Sequence, residues 1–151
     1  MTSYLIDINV WLALSWLGHP DSKAACDWLS AIPKNRTRLL FCRITQLGLL
    51  RLLTNERLMG GSVLTTAAAV RTVDRWNEDP RVAFAEEPQG VESAFRQSLE
   101  EFGNKSATKV IMDAYLVGFA KVEQATLVSF DKALCRLAAR WKTSHVLLGS
   151  K

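Results

Sequence analysis

The sequence predicts an α/β fold: a parallel sheet with helices on both faces. Pure apolar runs of four or five residues recur along the chain, as they do in strands buried on both sides. Amphipathic segments at helical spacing separate those runs, the pattern of strand–helix alternation. No internal repeat or low-complexity linker interrupts the series, and 151 residues suit one core, so a single domain over 1–151 is expected.

The first strand is Ser3 to Asp7, followed by a turn through Asn9 into an apolar helix from Val10 to Leu17. Gly18, His19 and Pro20 stop that helix. Asp21 is placed to cap a helix over Ser22 to Ala31, where Ala24, Ala25, Trp28, Leu29 and Ile32 mark its apolar side. A basic turn from Pro33 to Arg36 leads to a second strand, Leu39 to Cys42. Thr45 lies in the first turn of a leucine-rich helix flanked by Arg43 and Arg51, and Thr54 to Gly61 is a break. A helix resumes from Thr65 to Trp76, and Val82 to Phe84 is a short edge strand. Gly90 precedes a helix striped by Val91, Phe95 and Leu99, and the next helix spans Thr108 to Lys121. A strand from Ala125 to Phe130, a helix from Lys132 to Arg140 and a strand from His145 to Leu148 complete the series.

Composition narrows the function. The chain is 48% hydrophobic with scattered charge, which excludes a disordered polymer. Its net charge of +4 permits a nucleic acid or acidic partner without requiring one. Cys26, Cys42 and Cys135 are odd in number, far apart and set among apolar residues, so they read as reduced core thiols. Without a CxxC pair, and with only His19 and His145 as imidazoles, zinc ligation is disfavoured. No apolar run reaches the length of a membrane span, and the N-terminus enters a strand without a basic leader. Cytoplasmic residence and no membrane partner are the expectations.

Three acids stand out because each is embedded in apolar sequence: Asp7, Asp113 and Asp131. A carboxylate near a core costs several kcal/mol unless a cation compensates it. Asp7 and Asp131 fall at carboxyl ends of strands, where parallel sheets gather their ligand sites, and Asp113 sits inside a helix among Val110, Ile111, Ala114 and Val117. Taken singly, Asp7 and Asp131 also read as helix caps and Asp113 as a surface acid. Together they suggest hard oxygen ligands for Mg²⁺ or Mn²⁺, and a basic chain around such a site suggests a phosphodiester substrate.

Ordered along the chain, Tyr4-Leu5-Ile6-Asp7-Ile8-Asn9-Val10, Asp113-Ala114-Tyr115-Leu116 and Thr126-Leu127-Val128-Ser129-Phe130-Asp131 resemble the first, third and fourth motifs of the PIN-domain ribonucleases. Within that family the chain is similar to the VapC-type toxins of bacterial toxin–antitoxin pairs. The resemblance covers nearly the full length. It implies a three-layer α/β/α sandwich with a five-stranded, mostly parallel sheet, and Mg²⁺- or Mn²⁺-dependent endonucleolytic cleavage of RNA. It also implies a homodimer and inhibition by a cognate antitoxin.

At the second motif the sequence departs from the family. Thr45-Gln46 stands where the family has Thr followed by Glu, so a neutral amide replaces a carboxylate. One negative charge fewer weakens metal binding and disfavours a second ion. The expected site has the metal on Asp7, Asp113 and Asp131, with Gln46 beside it and Asn9, Thr45 and Ser129 in support. In-line attack by water leaves a 5′-phosphate and a 3′-hydroxyl. Arg43, Arg51 and Lys109 are the expected phosphate contacts. The competing expectation is a noncatalytic PIN-like module that binds RNA or protein, its metal site weakened by Gln46.

Overall fold

The structure, a computed structural model, describes residues 1–149. Five strands, β1 (Thr2–Ile6), β2 (Thr37–Phe41), β3 (Val82–Phe84), β4 (Thr126–Ser129) and β5 (His145–Leu147), form one sheet. Their order is β3-β2-β1-β4-β5, and every neighbouring pair is parallel. Around them run α1 (Ile8–Ser15), α2 (Ser22–Ala31), α3 (Arg43–Leu53), α4 (Glu56–Met59), α5 (Thr66–Asn77), α6 (Val91–Leu99), α7 (Thr108–Glu123) and α8 (Lys132–Arg140).

Side-chain alternation along the strands builds two cores. Leu5, Leu40 and Leu127 point into an apolar cluster with Val91, Val117, Phe119, Leu134 and Leu137, contributed by α6, α7 and α8. Ile6, Leu39 and Val128, each one position away, enter a second cluster with Trp11, Leu49, Leu53 and Val73 from α1, α3 and α5. These are the three layers expected. Trp11 is fully buried and stacks on Phe41 with ring centroids 3.9 Å apart. Full burial of a large apolar side chain contributes about 1.5–3 kcal/mol, which explains why both strand faces are apolar.

The layer of α6 and α7 depends on a glycine. A Cβ on Gly118 would lie 2.8 Å from the backbone nitrogen of Phe95, so only a bare backbone lets α7 approach α6 this closely.

Several element ends differ from the expected ones by one or two residues, the first helix at both of its ends. The first helix begins at Ile8 and not Val10, because Asp7 already caps it, and it ends at Ser15 because Trp16 turns extended. The expected break at 54–61 holds the one-turn α4, whose Leu58 N–H donates to the Asn55 side chain at 3.2 Å.

No helix among the described residues is long and apolar enough to cross a membrane.

Candidate active site

The register sets the site. Ile6 pairs with Val128, and Asp7 N–H donates to the Val128 carbonyl at 2.9 Å, so the chain leaves β1 beside the end of β4. Asp7 is buried, and its two oxygens are engaged differently. Oδ1 accepts from Ile8 N–H at 2.8 Å, and Oδ2 accepts from the Ser129 hydroxyl at 2.7 Å. Ser129 in turn accepts from Asp131 N–H at 2.9 Å. Asp131 caps α8, with Oδ1 accepting from Ala133 N–H at 2.8 Å and Leu134 N–H at 3.2 Å. Capping and site membership are therefore not alternatives: both strand-end acids cap a helix while facing one cleft.

That cleft has a volume of about 380 Å³, and Asp7, Asp113 and Asp131 all line it. Asp113 reaches it from α7, flanked on the same wall by Met112 and Leu116. Burial raises the Asp7 carboxyl above the ordinary range, against the lowering effect of Ser129 and Ile8, and the Asp131 charge adds to the rise. Burial likewise leads for Asp113, the charges of Asp131 and Asp7 add, and its carboxyl is pushed up to about 6. The three acids thus lie within one another's fields. Among the described residues no three acids close into a ready-made ligand cluster; these share the walls of a cleft.

A hard divalent cation fits this donor set. Asp7 is buried and oriented by two donors yet has no cationic partner among the described residues, while Asp131 keeps one oxygen clear of its capping bonds. Such a cation would hold Asp7 and Asp113, whose carboxyls burial raises, in their ionised forms.

Of the other expected site residues, Asn9 and Arg51 line the cleft. Ser129 is fully buried and acts between Asp7 and Asp131. Thr45 is buried away from the cleft: its hydroxyl accepts from Cys42 N–H at 3.0 Å and donates to the Cys42 carbonyl at 3.1 Å, closing the start of α3. Gln46 is not on the cleft wall either. Its amide oxygen accepts from the Arg43 guanidinium, which also sits 4.5 Å over the Phe84 ring. Arg43 is held at the β3 edge by those two contacts, and Lys109 is exposed at the start of α7, outside the cleft.

Asn55, Gly48 and Ile8 line the cleft without having been singled out. Met112 and Leu116 flank Asp113 at helical spacing, a signal that the sequence did carry. A Cβ on Gly48 would strike the Ile8 side chain at 2.4 Å, so glycine there keeps α3 close to α1.

Comparison with known proteins matches the PIN domain family model to residues 4–140. The chain belongs to the PIN-domain family. Within it, this PIN domain is 40% identical over 134 residues to Ribonuclease VapC41 of Mycobacterium tuberculosis, spanning 85% of this chain and 89% of that protein. The fold is shared with VapBC2 of Rickettsia felis bound to a promoter DNA fragment, with a TM-score of 0.68 at 15% identity over 97% of this chain and 99% of that one. It is shared too with VapC20 of Mycobacterium tuberculosis, a sarcin-ricin loop cleaving toxin, with a TM-score of 0.64 at 15% identity over 89% and 94% of the two chains. Asp7 follows β1, Asp113 lies in α7 and Asp131 follows β4, all within the matched residues.

Proposed function

We propose that this PIN domain is a VapC-type toxin: a metal-dependent endoribonuclease that acts in the cytoplasm and is held inactive by a cognate antitoxin. The single observation that carries the reading is the convergence of Asp7, Asp113 and Asp131 on one cleft from three separate elements. Its likeness to Ribonuclease VapC41 supports RNA as the substrate, and its likeness to VapBC assemblies supports an antitoxin partner. A homodimer and a single domain complete the reading.

Asp7, Asp113 and Asp131 would hold Mg²⁺ or Mn²⁺, which supplies charge neutralisation at a phosphate oxygen and acidifies water. Ser129 and Ile8 N–H fix the Asp7 carboxylate, so it needs little rearrangement to work. Arg51 and Asn9 on the cleft wall offer donors to the phosphate. In-line attack by water on phosphorus leaves a 5′-phosphate and a 3′-hydroxyl. Gln46, engaged by Arg43, contributes through Arg43 and not as a ligand.

The test is incubation of the purified protein with mixed structured RNAs, with Mg²⁺ or Mn²⁺ and with EDTA, beside Asp7→Asn and Asp113→Asn. Metal-dependent fragments bearing 5′-phosphates, absent from both variants, are expected. A folded wild-type protein that binds RNA without cutting it under every metal condition would leave the noncatalytic module as the function.

A further inference from the structure

Asp113 is a wall of two cavities. Besides the cleft shared with Asp7 and Asp131, it borders a second cavity of about 210 Å³ between α7 and α8, whose walls include Phe102, Val110, Leu137 and Arg136. On the opposite flank of α8, Lys132, Arg136 and His145 border a third groove of about 280 Å³. Arg136 belongs to both and forms the ridge between them.

The outward face of α8 is basic. Leu134, Cys135, Leu137 and Ala138 are buried, and what remains exposed is Lys132, Ala133, Arg136, Ala139 and Arg140. No acid lies on that face of the helix. Arg140 is neutralised by Glu101, whereas Lys132 and Arg136 make no ion pair among the described residues. They stand four residues apart, about 6 Å along the helix axis. Ala133 between them and Ala139 beyond Arg136 leave the helix surface open to close approach.

We propose that the single-stranded RNA leading away from the cleft crosses α8, with successive phosphates on Lys132 and Arg136 and one nucleobase in the cavity beside Phe102. This rests on the ribonuclease reading and adds to it a path for the strand. The cations suit an anionic backbone, and the adjoining cavity, with Phe102, Val110, Ala133 and Leu137 between the charged Asp113, Arg136 and Arg140, suits a base that offers both an apolar face and polar edges. Continuity through Asp113 joins this surface to the cleft, so a strand seated here is delivered to the acids. Lys132 and Arg136 are positioning residues: they hold the polymer and take no part in bond cleavage.

The experiment measures binding of a short fluorescein-labelled single-stranded RNA of mixed sequence to the full chain in EDTA, across a salt series. Wild type is compared with the double variant Lys132→Ala, Arg136→Ala, with Ala133→Trp, and with Arg75→Ala beside the far end of α1 as control. Alanine favours helix and both replaced side chains are exposed, so the double variant retains the fold, which circular dichroism verifies.

The double variant is expected to bind at least about tenfold more weakly per cation removed. Its log Kd against log salt should flatten by about 1.4, the contribution of two phosphates on a single strand. Ala133→Trp, which obstructs the cavity mouth, should weaken binding with an unchanged slope, and Arg75→Ala should match wild type. Wild-type binding and cleavage with no change in slope for the double variant would overturn the α8 path alone. Failure of wild type to bind or cut any RNA would overturn the ribonuclease reading and the path together.

Discussion

The Ser129 hydroxyl donates to Asp7 Oδ2 at 2.7 Å and receives Asp131 N–H at 2.9 Å, tying together the two strand ends that carry acids. A single hydroxyl therefore aims one carboxylate and fixes the backbone of another. Ser129→Ala removes both bonds while leaving the side chain's apolar volume nearly unchanged. A loss of about 1.5–3 kcal/mol is expected, the range for a buried hydrogen bond to a charged group. Urea denaturation of wild type and variant measures it, and a difference close to zero would show that the link holds nothing in place.

The acids also set a pH dependence. A carboxyl whose folded pKa lies above its unfolded value destabilises the folded state when it ionises. For Asp113 the ordinary carboxyl value is 3.8 and the folded value about 6. The penalty is absent below the first, grows between the two and is constant above the second; Asp7 shifts in the same direction. In EDTA the protein should thus be more stable at about pH 5 than at about pH 7 as far as these groups decide it. Asp113→Asn should shrink that difference, and urea midpoints at the two pH values provide the check.

Divalent metal should reverse the penalty. Mg²⁺ or Mn²⁺ binding only the folded state raises the melting temperature with concentration, and EDTA removes the gain. Asp7→Asn should abolish the response, because it takes away the carboxylate that is already oriented. Thermal melts with and without metal read this independently of any cleavage.

Gln46→Glu distinguishes position in sequence from position in space. Gln46 faces the Arg43 guanidinium, so a carboxylate there is expected to form an ion pair with Arg43. The metal-induced melting shift should then stay close to wild type. A large increase in metal affinity would mean that residue 46 reaches the ion.

Gly118→Ala tests the seam between α6 and α7. The added methyl meets the backbone of Phe95 and Ala94 at 2.8 Å and 3.2 Å, atoms that cannot rotate aside. Overpacking of this kind costs about 1–3 kcal/mol, despite the better helix propensity of alanine. Equal or greater stability in a denaturation curve would contradict the close approach.

The acids were legible in the sequence because charge inside an apolar run is conspicuous, and the parallel sheet was legible because its strands are apolar on both faces. Asp113 could be read for the same reason, although its helix gives no direction in space. Thr45 and Gln46 could not be placed that way. Their fate is set by short-range bonds, Thr45 to the backbone of Cys42 and Gln46 to Arg43, and periodicity does not encode which neighbour a polar side chain chooses. Asn55 was hidden likewise, since its place on the cleft depends on how the segment after α3 folds back.

The strands that frame the site, β1 and β4, are neighbours in the sheet although Ser129 stands 122 residues beyond Asp7 in the chain. Asp7 leaves the ribosome long before Ser129 or Asp131 exists to complete its surroundings. A polypeptide that stops before β4 therefore holds Asp7 and Asp113 but neither the Ser129 hydroxyl that aims Asp7 nor Asp131. Completion of the cleft therefore waits until the chain has been translated through Asp131.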